Sequence, residues 1–247
     1  MQTLLTPAEL LAASGADPLV AHLLPHVVPD GPLLAMDGAV LFVYNYWDGA
    51  GAQLVGRPQP CAELLAAAAG LLPTAYVAVP ADAVPILGGV FKPDVAWRFR
   101  WTDARPAVQG DDRLAGRWLS GRWLAESEHA EVEALLGSSY PDASARPGNR
   151  HAQRWAGIRD DAGALVATAA DCTETDVGFM ASVATDVRQR RSGLGSAMTN
   201  WMTHALLDEH PTVALWQYAG NTAATALYDK LGFHNDHNYV AGVLSSP

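Results

Sequence analysis

Val183-Ala184-Thr185-Asp186-Val187-Arg188-Gln189-Arg190-Arg191-Ser192-Gly193-Leu194-Gly195-Ser196 is the stretch whose reading decides the fold. It leaves an apolar strand and enters a helix, because Leu194, Ala197, Met198, Trp201, Met202, Ala205 and Leu206 follow at i, i+3, i+4, i+7, i+8, i+11 and i+12, the spacing of a long amphipathic helix. A helix N-terminus offers unpaired N–H groups and about half a unit of positive charge, and glycines let the backbone approach phosphate oxygens. With Arg188, Arg190 and Arg191 beside it, the turn has the physics of a pyrophosphate site. Two rival phosphate-binding readings fail on their residues. A Walker A loop requires Gly-Lys-Ser/Thr. A Rossmann fingerprint wants a third glycine where Met198 stands and an acidic residue about 20 positions on, whereas Asp208 and Glu209 close the same helix.

Upstream, Gln153 to Ile158, Leu165 to Ala170 and Val177 to Thr185 read as strands separated by turn-rich segments, an antiparallel meander. Downstream, Pro211 stops the long helix and Val213 to Tyr218 reads as a buried strand. A last helix runs from Asn221 as N-cap to Gly232 as stop, with Ala224, Leu227, Tyr228 and Leu231 on one face, and Phe233 opens a closing strand. Strands, helix, strand, helix, strand predict an α+β fold, a mixed sheet flanked by helices.

These residues carry a resemblance to the GNAT superfamily of acyl-CoA-dependent N-acyltransferases. Arg190-Arg191-Ser192-Gly193-Leu194-Gly195 meets its Arg/Gln-x-x-Gly-x-Gly/Ala pattern, and Asn221 with Ala226-Leu227-Tyr228-Asp229-Lys230-Leu231-Gly232-Phe233 is similar to its Asn…Leu-Tyr-x-x-x-Gly-Phe signature. The matched elements span roughly residues 115 to 243, and Val187 stands where many members have proline. The resemblance implies acetyl-CoA as acyl donor and no metal. It implies that Arg190, Arg191, Ser192, Gly193, Leu194, Gly195 and Ser196 bind the CoA pyrophosphate, largely through backbone N–H groups. It places pantetheine against Val183, Ala184 and Thr185, Asn221 near the cofactor arm, and Tyr228 near the sulfur as general acid. Spacing alone reads Tyr228 as a core tyrosine.

The implied reaction is transfer of an acetyl group to a primary amine of a small molecule or peptide by direct attack. A lysine-like amine, with a reference pKa of ~10.4, costs roughly 4 to 5 kcal/mol to present uncharged at neutral pH. Many family members supply a glutamate base within the fourth strand, but Val177 to Thr185 contains no carboxylate. The nearest are Glu174 and Asp176 at its entrance, of which Asp176 is the candidate base. The missing glutamate keeps an alternative open, a non-catalytic acyl-CoA-binding or sensory protein.

The first half carries no chemical motif. Leu33 to Met36, the turn Asp37-Gly38 and Ala39 to Tyr44 predict a hairpin; Ala62 to Ala69 predicts a helix, and Tyr76 to Val79 and Trp97 to Trp101 predict strands. The polar stretch Thr102 to Asp112 is expected to divide an N-terminal α/β domain, residues 1–110, from a GNAT domain, residues 113–247. The first domain is expected to be a degenerate GNAT-like half that shapes the acceptor pocket or a homodimer interface. Glu126 to Leu136 reads as a helix and Gly137 to Asn149 as an exposed loop.

Composition narrows the partners. Of 247 residues 26 are acidic and 16 basic, a net charge of −10 that argues against nucleic acid and anionic membranes and favours a cationic acceptor. No stretch reaches the ~18 apolar residues of a membrane span. Met1 to Leu11 lacks a signal-peptide pattern, so a cytoplasmic protein with reduced Cys61 and Cys172 is expected. His22…His26 and His234…His237 have ligand-like spacings without a supporting ligand set. Trp201 and Met202 read as core, Trp216 and Tyr218 as core or pocket wall.

Overall fold

A computed structural model describes residues 1–4, 6–46, 49–72, 76–107, 113–114, 117–118 and 120–245. The centre of the expected domain boundary, residues 108–112, lies outside them. The first half contains β1 (Gln2–Thr3), α1 (Pro7–Ala13), α2 (Pro18–Leu23), β2 (Leu33–Met36), β3 (Ala39–Tyr46), β4 (Gly49–Val55), α3 (Pro58–Ala68), β5 (Tyr76–Pro80), α4 (Val84–Leu87) and β6 (Phe91–Thr102). The second contains β7 (Arg113–Leu114), β8 (Arg117–Trp118), β9 (Arg122–Trp123), α5 (His129–Ser139), β10 (Arg154–Arg159), β11 (Leu165–Asp171), β12 (Val177–Thr185), α6 (Leu194–Leu207), β13 (Thr212–Tyr218), α7 (Thr222–Lys230) and β14 (Asn235–Leu244).

These elements form two compact units, residues 1–99 with 216–222 and 236–247, and residues 100–215 with 223–235. The closing strand thus groups with the N-terminal half, although it stands last in the chain. In the first unit β2, β3 and β4 form an antiparallel meander. Its first turn is a hairpin turn in which Asp37 and Gly38 both take positive φ, 49° and 79°. Helix α3 then crosses over to β5, parallel to β4, and β14 pairs antiparallel with β5 from Tyr239↔Pro80 to Val243↔Tyr76. Leu41, Leu54, Leu64, Leu65, Val77 and Val79 fill its core.

The second unit repeats that order. Strands β10, β11 and β12 form an antiparallel meander, α6 crosses over, and β13 lies parallel to β12 from Val177↔Thr212 to Met180↔Leu215. The predicted stripe of α6 is its core face: Leu194, Ala197, Met198, Met202 and Leu206 pack with Met180, Val213, Leu215, Tyr228, Leu231 and Phe233. Each of the Leu, Met, Val and Phe side chains removed from water stabilises the unit by about 1.5–3 kcal/mol. Trp201 is half-buried and meets Trp123 edge-on at 5.2 Å.

Two boundaries move. Residues Glu126–Glu128 form a tight 3-10 turn and α5 runs to Ser139, so the following loop starts at Tyr140 instead of Gly137. Tyr140 N–H donates to Leu136 O at 2.7 Å, which keeps Gly137, Ser138 and Ser139 in the helix. Helix α3 starts at Pro58, because proline suits the first helical position, where its missing N–H is not needed. Among the described residues no helix is long and apolar enough to cross a membrane.

Candidate functional site

The site is built where β12 ends and α6 begins. Asp186 leaves β12 with its N–H bonded to Val166 O at 2.9 Å. Its carboxylate accepts the Arg188 N–H at 2.9 Å and bridges the Arg188 guanidinium at 2.6 Å. That guanidinium, followed by the backbone bond, holds the Asp186 carboxyl down at about 2. Arg190 turns back and donates to Ser139 O at 2.7 Å, covering the negative end of α5. Ser192 Oγ donates to Gln189 O at 2.5 Å. Arg191 is exposed and has no side-chain partner among the described residues.

Arg191 and Gly193 take left-handed φ values of 63° and 90°, which swing the chain into α6. Among the described residues no side chain caps the helix at Gly193. The first-turn N–H groups of Leu194, Gly195 and Ser196 precede any intrahelical partner, so this end keeps its donors for a ligand. A Cβ on Gly195 would stand 3.5 Å from Thr185 Oγ1, so the helix end lies directly beside the end of β12.

Helix α3 occupies the same place in the first unit and lacks that capacity. Its first residues are Pro58, Gln59 and Pro60, and two of those three have no N–H to offer. Gly56 before it serves packing, because a Cβ there would stand 2.7 Å from Ala39 Cα. Of the two crossover helices, α6 is therefore the one fitted to an anion.

Strand β12 is interrupted beside this end. Its pairing with β11 passes from Ala170↔Ala181 to Thr168↔Ala184, so Ala169 faces both Ser182 and Val183, a β-bulge with Ser182 at φ 49°. Val183 and Thr185 are half-buried and Ala184 is buried.

Tyr228, near the end of α7, is buried against Phe233 with ring centroids 5.8 Å apart. Burial pushes its hydroxyl up to about 12, nearby Tyr140 adds to the rise, and Arg100 opposes it. Arg100 itself, only 2% exposed, bonds to the Asp229 carboxylate and Phe233 O, and donates to Thr225 O at 3.3 Å. It clamps α7 and so holds Tyr228 in place. The sequence analysis missed Arg100; a lone cation between Phe99 and Trp101 was the available signal.

Asp176 is exposed on the turn entering β12, six residues before Ser182 and so about 20 Å along an extended chain from the bulge. Glu174 accepts from His151 Nδ1 at 2.6 Å. Asn221 belongs to the first unit's segment 216–222, just before α7, and its N–H donates to Tyr218 O at 3.0 Å. Trp216 stacks on Trp97 at 4.9 Å and Tyr218 is exposed. His237 pairs with Asp17 at 2.6 Å. Cys61 and Cys172 are free and buried, and burial pushes both thiols upward.

Residues 156–241 match the family model described as FR47-like protein. Over most of its length the chain shares its fold with solved structures of low identity. A GCN5-related N-acetyltransferase from Kribbella flavida is 18% identical over 96% of each chain, with a TM-score of 0.60. One from Sphaerobacter thermophilus is 16% identical over 96% of this chain and 92% of that one, with a TM-score of 0.58. An acetyltransferase from the GNAT family of Colwellia psychrerythraea is 12% identical over 98% of each, with a TM-score of 0.56. Among curated proteins no sequence matches this chain.

Proposed function

We propose that this chain, which shares the fold of GNAT acetyltransferases and matches the FR47-like model over residues 156–241, is an N-acetyltransferase that moves an acetyl group from acetyl-CoA to a primary amine. The observation that carries this reading is the uncapped N-terminus of α6, with Arg191 free beside it and the bulged β12 alongside. N–H groups of residues 193–196 suit a pyrophosphate, and exposed Arg191 adds a cation. Val183, Ala184 and Thr185 offer an extended backbone to the pantetheine amides. Acetyl-CoA supplies the acyl group and a thiolate leaving group.

The residues divide the remaining work. Backbone N–H groups at the bulge of β12 stabilise charge on the carbonyl oxygen. Tyr228, at about 12, stays protonated at neutral pH and is a hydrogen-bond donor to the departing sulfur. Complete transfer of its proton to a thiolate of pKa ~8.5 is uphill by roughly 5 kcal/mol, so Tyr228 stabilises the leaving group and the proton that ends on sulfur is the one lost by the amine nitrogen. A cationic amine loses one further proton, before it attacks, to solvent water, and Asp176, on its exposed turn, can assist that step only through a chain of waters. The acceptor is a cationic amine of a small molecule or peptide, drawn by the acidic surface.

The test is thiol release from acetyl-CoA with a panel of amines. Wild-type turnover that falls about 10- to 100-fold in Tyr228→Phe, with CoA affinity retained, is expected. Saturable CoA binding without turnover on any amine would instead identify an acyl-CoA-binding sensor. A chain that binds no CoA sinks both readings.

A further inference from the structure

Ser182 is a residue in the wrong conformation for its type. Its φ of 49° lies in the left-handed region, where a side chain is crowded and glycine is at ease. The position is 7% exposed, and the side chain is engaged twice by one residue: its Oγ accepts the Ala145 N–H at 2.9 Å and donates to Ala145 O at 3.1 Å. A glycine would relieve the backbone and lose both bonds.

Those bonds fasten one end of a short strap. The other end, Ser139, is held by the turn that leads into α6, through Val187 N–H to Ser139 Oγ at 3.3 Å and Arg190 to Ser139 O at 2.7 Å. Residues 139–145 are therefore tied to the bulge of β12 and to the phosphate-side turn, and nothing in the spacing of 37 residues between Ala145 and Ser182 announces it. Tyr140 sits on this strap, close enough to Tyr228 to influence its ionisation.

We propose that Ser182 is a positioning residue, which ties the strap 139–145 to β12 so that the wall carrying Tyr140 is set by the strand that receives the acyl donor. Occupation of β12 then tightens the strap and steadies Tyr140 beside Tyr228. The kinetic part of this inference rests on the acyl-transfer reading; the tie itself does not.

Hydrogen exchange on the intact protein reads the tie directly. Ser182→Gly, which suits the left-handed backbone, is expected to speed exchange of the Ala145 amide by about tenfold or more. Added CoA is expected to slow that exchange in the wild type and not in the variant. In turnover, the amine KM rises and kcat falls while the Kd for CoA stays within about twofold. Unchanged exchange at Ala145, or, with CoA bound to both proteins, an equal slowing of that exchange in both, overturns the proposal. Absence of turnover in the wild type defeats the acyl-transfer reading instead, and exchange at Ala145 still decides the role of Ser182. Should Ser182→Gly fold poorly, Ser182→Ala provides the same two readouts.

Discussion

Three arginines crowd the turn before α6, and the structure gives them three different occupations. Arg188 is held by Asp186, Arg190 by Ser139 O, and Arg191 is exposed without a side-chain partner among the described residues. A charge-assisted bond to phosphate contributes about 1.5–3 kcal/mol, so Arg191→Ala is expected to weaken CoA binding about 10- to 100-fold. Arg188→Ala should leave the affinity within about threefold, because that guanidinium is already committed at the surface. Calorimetric titration of both variants checks the order, and a larger loss in Arg188→Ala would reassign the phosphate contact. Tyr228 carries a second prediction. Its folded pKa, about 12, lies above the ordinary 10.0, so the protonated form is the one the fold favours. The associated stability is complete below pH 10 and is lost as pH rises toward 12. Tyr44, raised to about 12 by burial, shares that window. Melting temperature against pH is therefore expected to fall across this range, with a shallower slope in Tyr228→Phe; an identical slope would contradict the burial of its hydroxyl.

At the scale of elements, the two glycines of the helix start have different reasons to be there. Gly193 sits at φ 90° as the left-handed entry to α6, whereas Gly195 lies inside the helix with only Thr185 Oγ1 and Leu227 Cδ2 within 4 Å of a Cβ. Gly193→Ala is expected to destabilise by about 1–2 kcal/mol and to weaken CoA binding. Gly195→Ala is expected to be neutral or stabilising by up to about 1 kcal/mol and to keep CoA affinity within a few fold. Denaturant unfolding and CoA titration on both variants separate them. Much of this element was legible. The bounds of β12 and the core stripe of α6 follow from periods of two and about four residues, which are local. The bulge was not legible, since Ser182 carries no residue-type signal for a positive φ. Nor were Arg100 and the strap, whose partners lie far away in sequence.

At the scale of the molecule, the chain places its last strand in its first unit. Gly242 on β14 allows this: a Cβ there would stand 2.3 Å from Lys92 O, a backbone atom that cannot swing aside. Gly242→Ala is expected to cost about 2 kcal/mol or more and to lower the melting temperature, and a melting point equal to the wild type would refute that close approach. The net charge of −10 belongs to this scale too. If the acceptor is cationic, its KM should rise with ionic strength as the acidic field is screened, and a salt-independent KM would argue for a neutral amine.

By itself the sequence determined the helix start with its glycines and arginines, the strand and helix periods around it, and the α+β order of the second half. Each of these is written within a few neighbouring residues, where backbone geometry and burial leave a periodic mark. Tertiary structure alone decided which arginine is left for a ligand, which of two crossover helices keeps its N–H groups beside a bulged strand, what holds Tyr228, and which unit receives β14. Those outcomes depend on contacts between residues dozens of positions apart, and the free energy that selects them comes from packing and hydrogen bonds that no local pattern encodes.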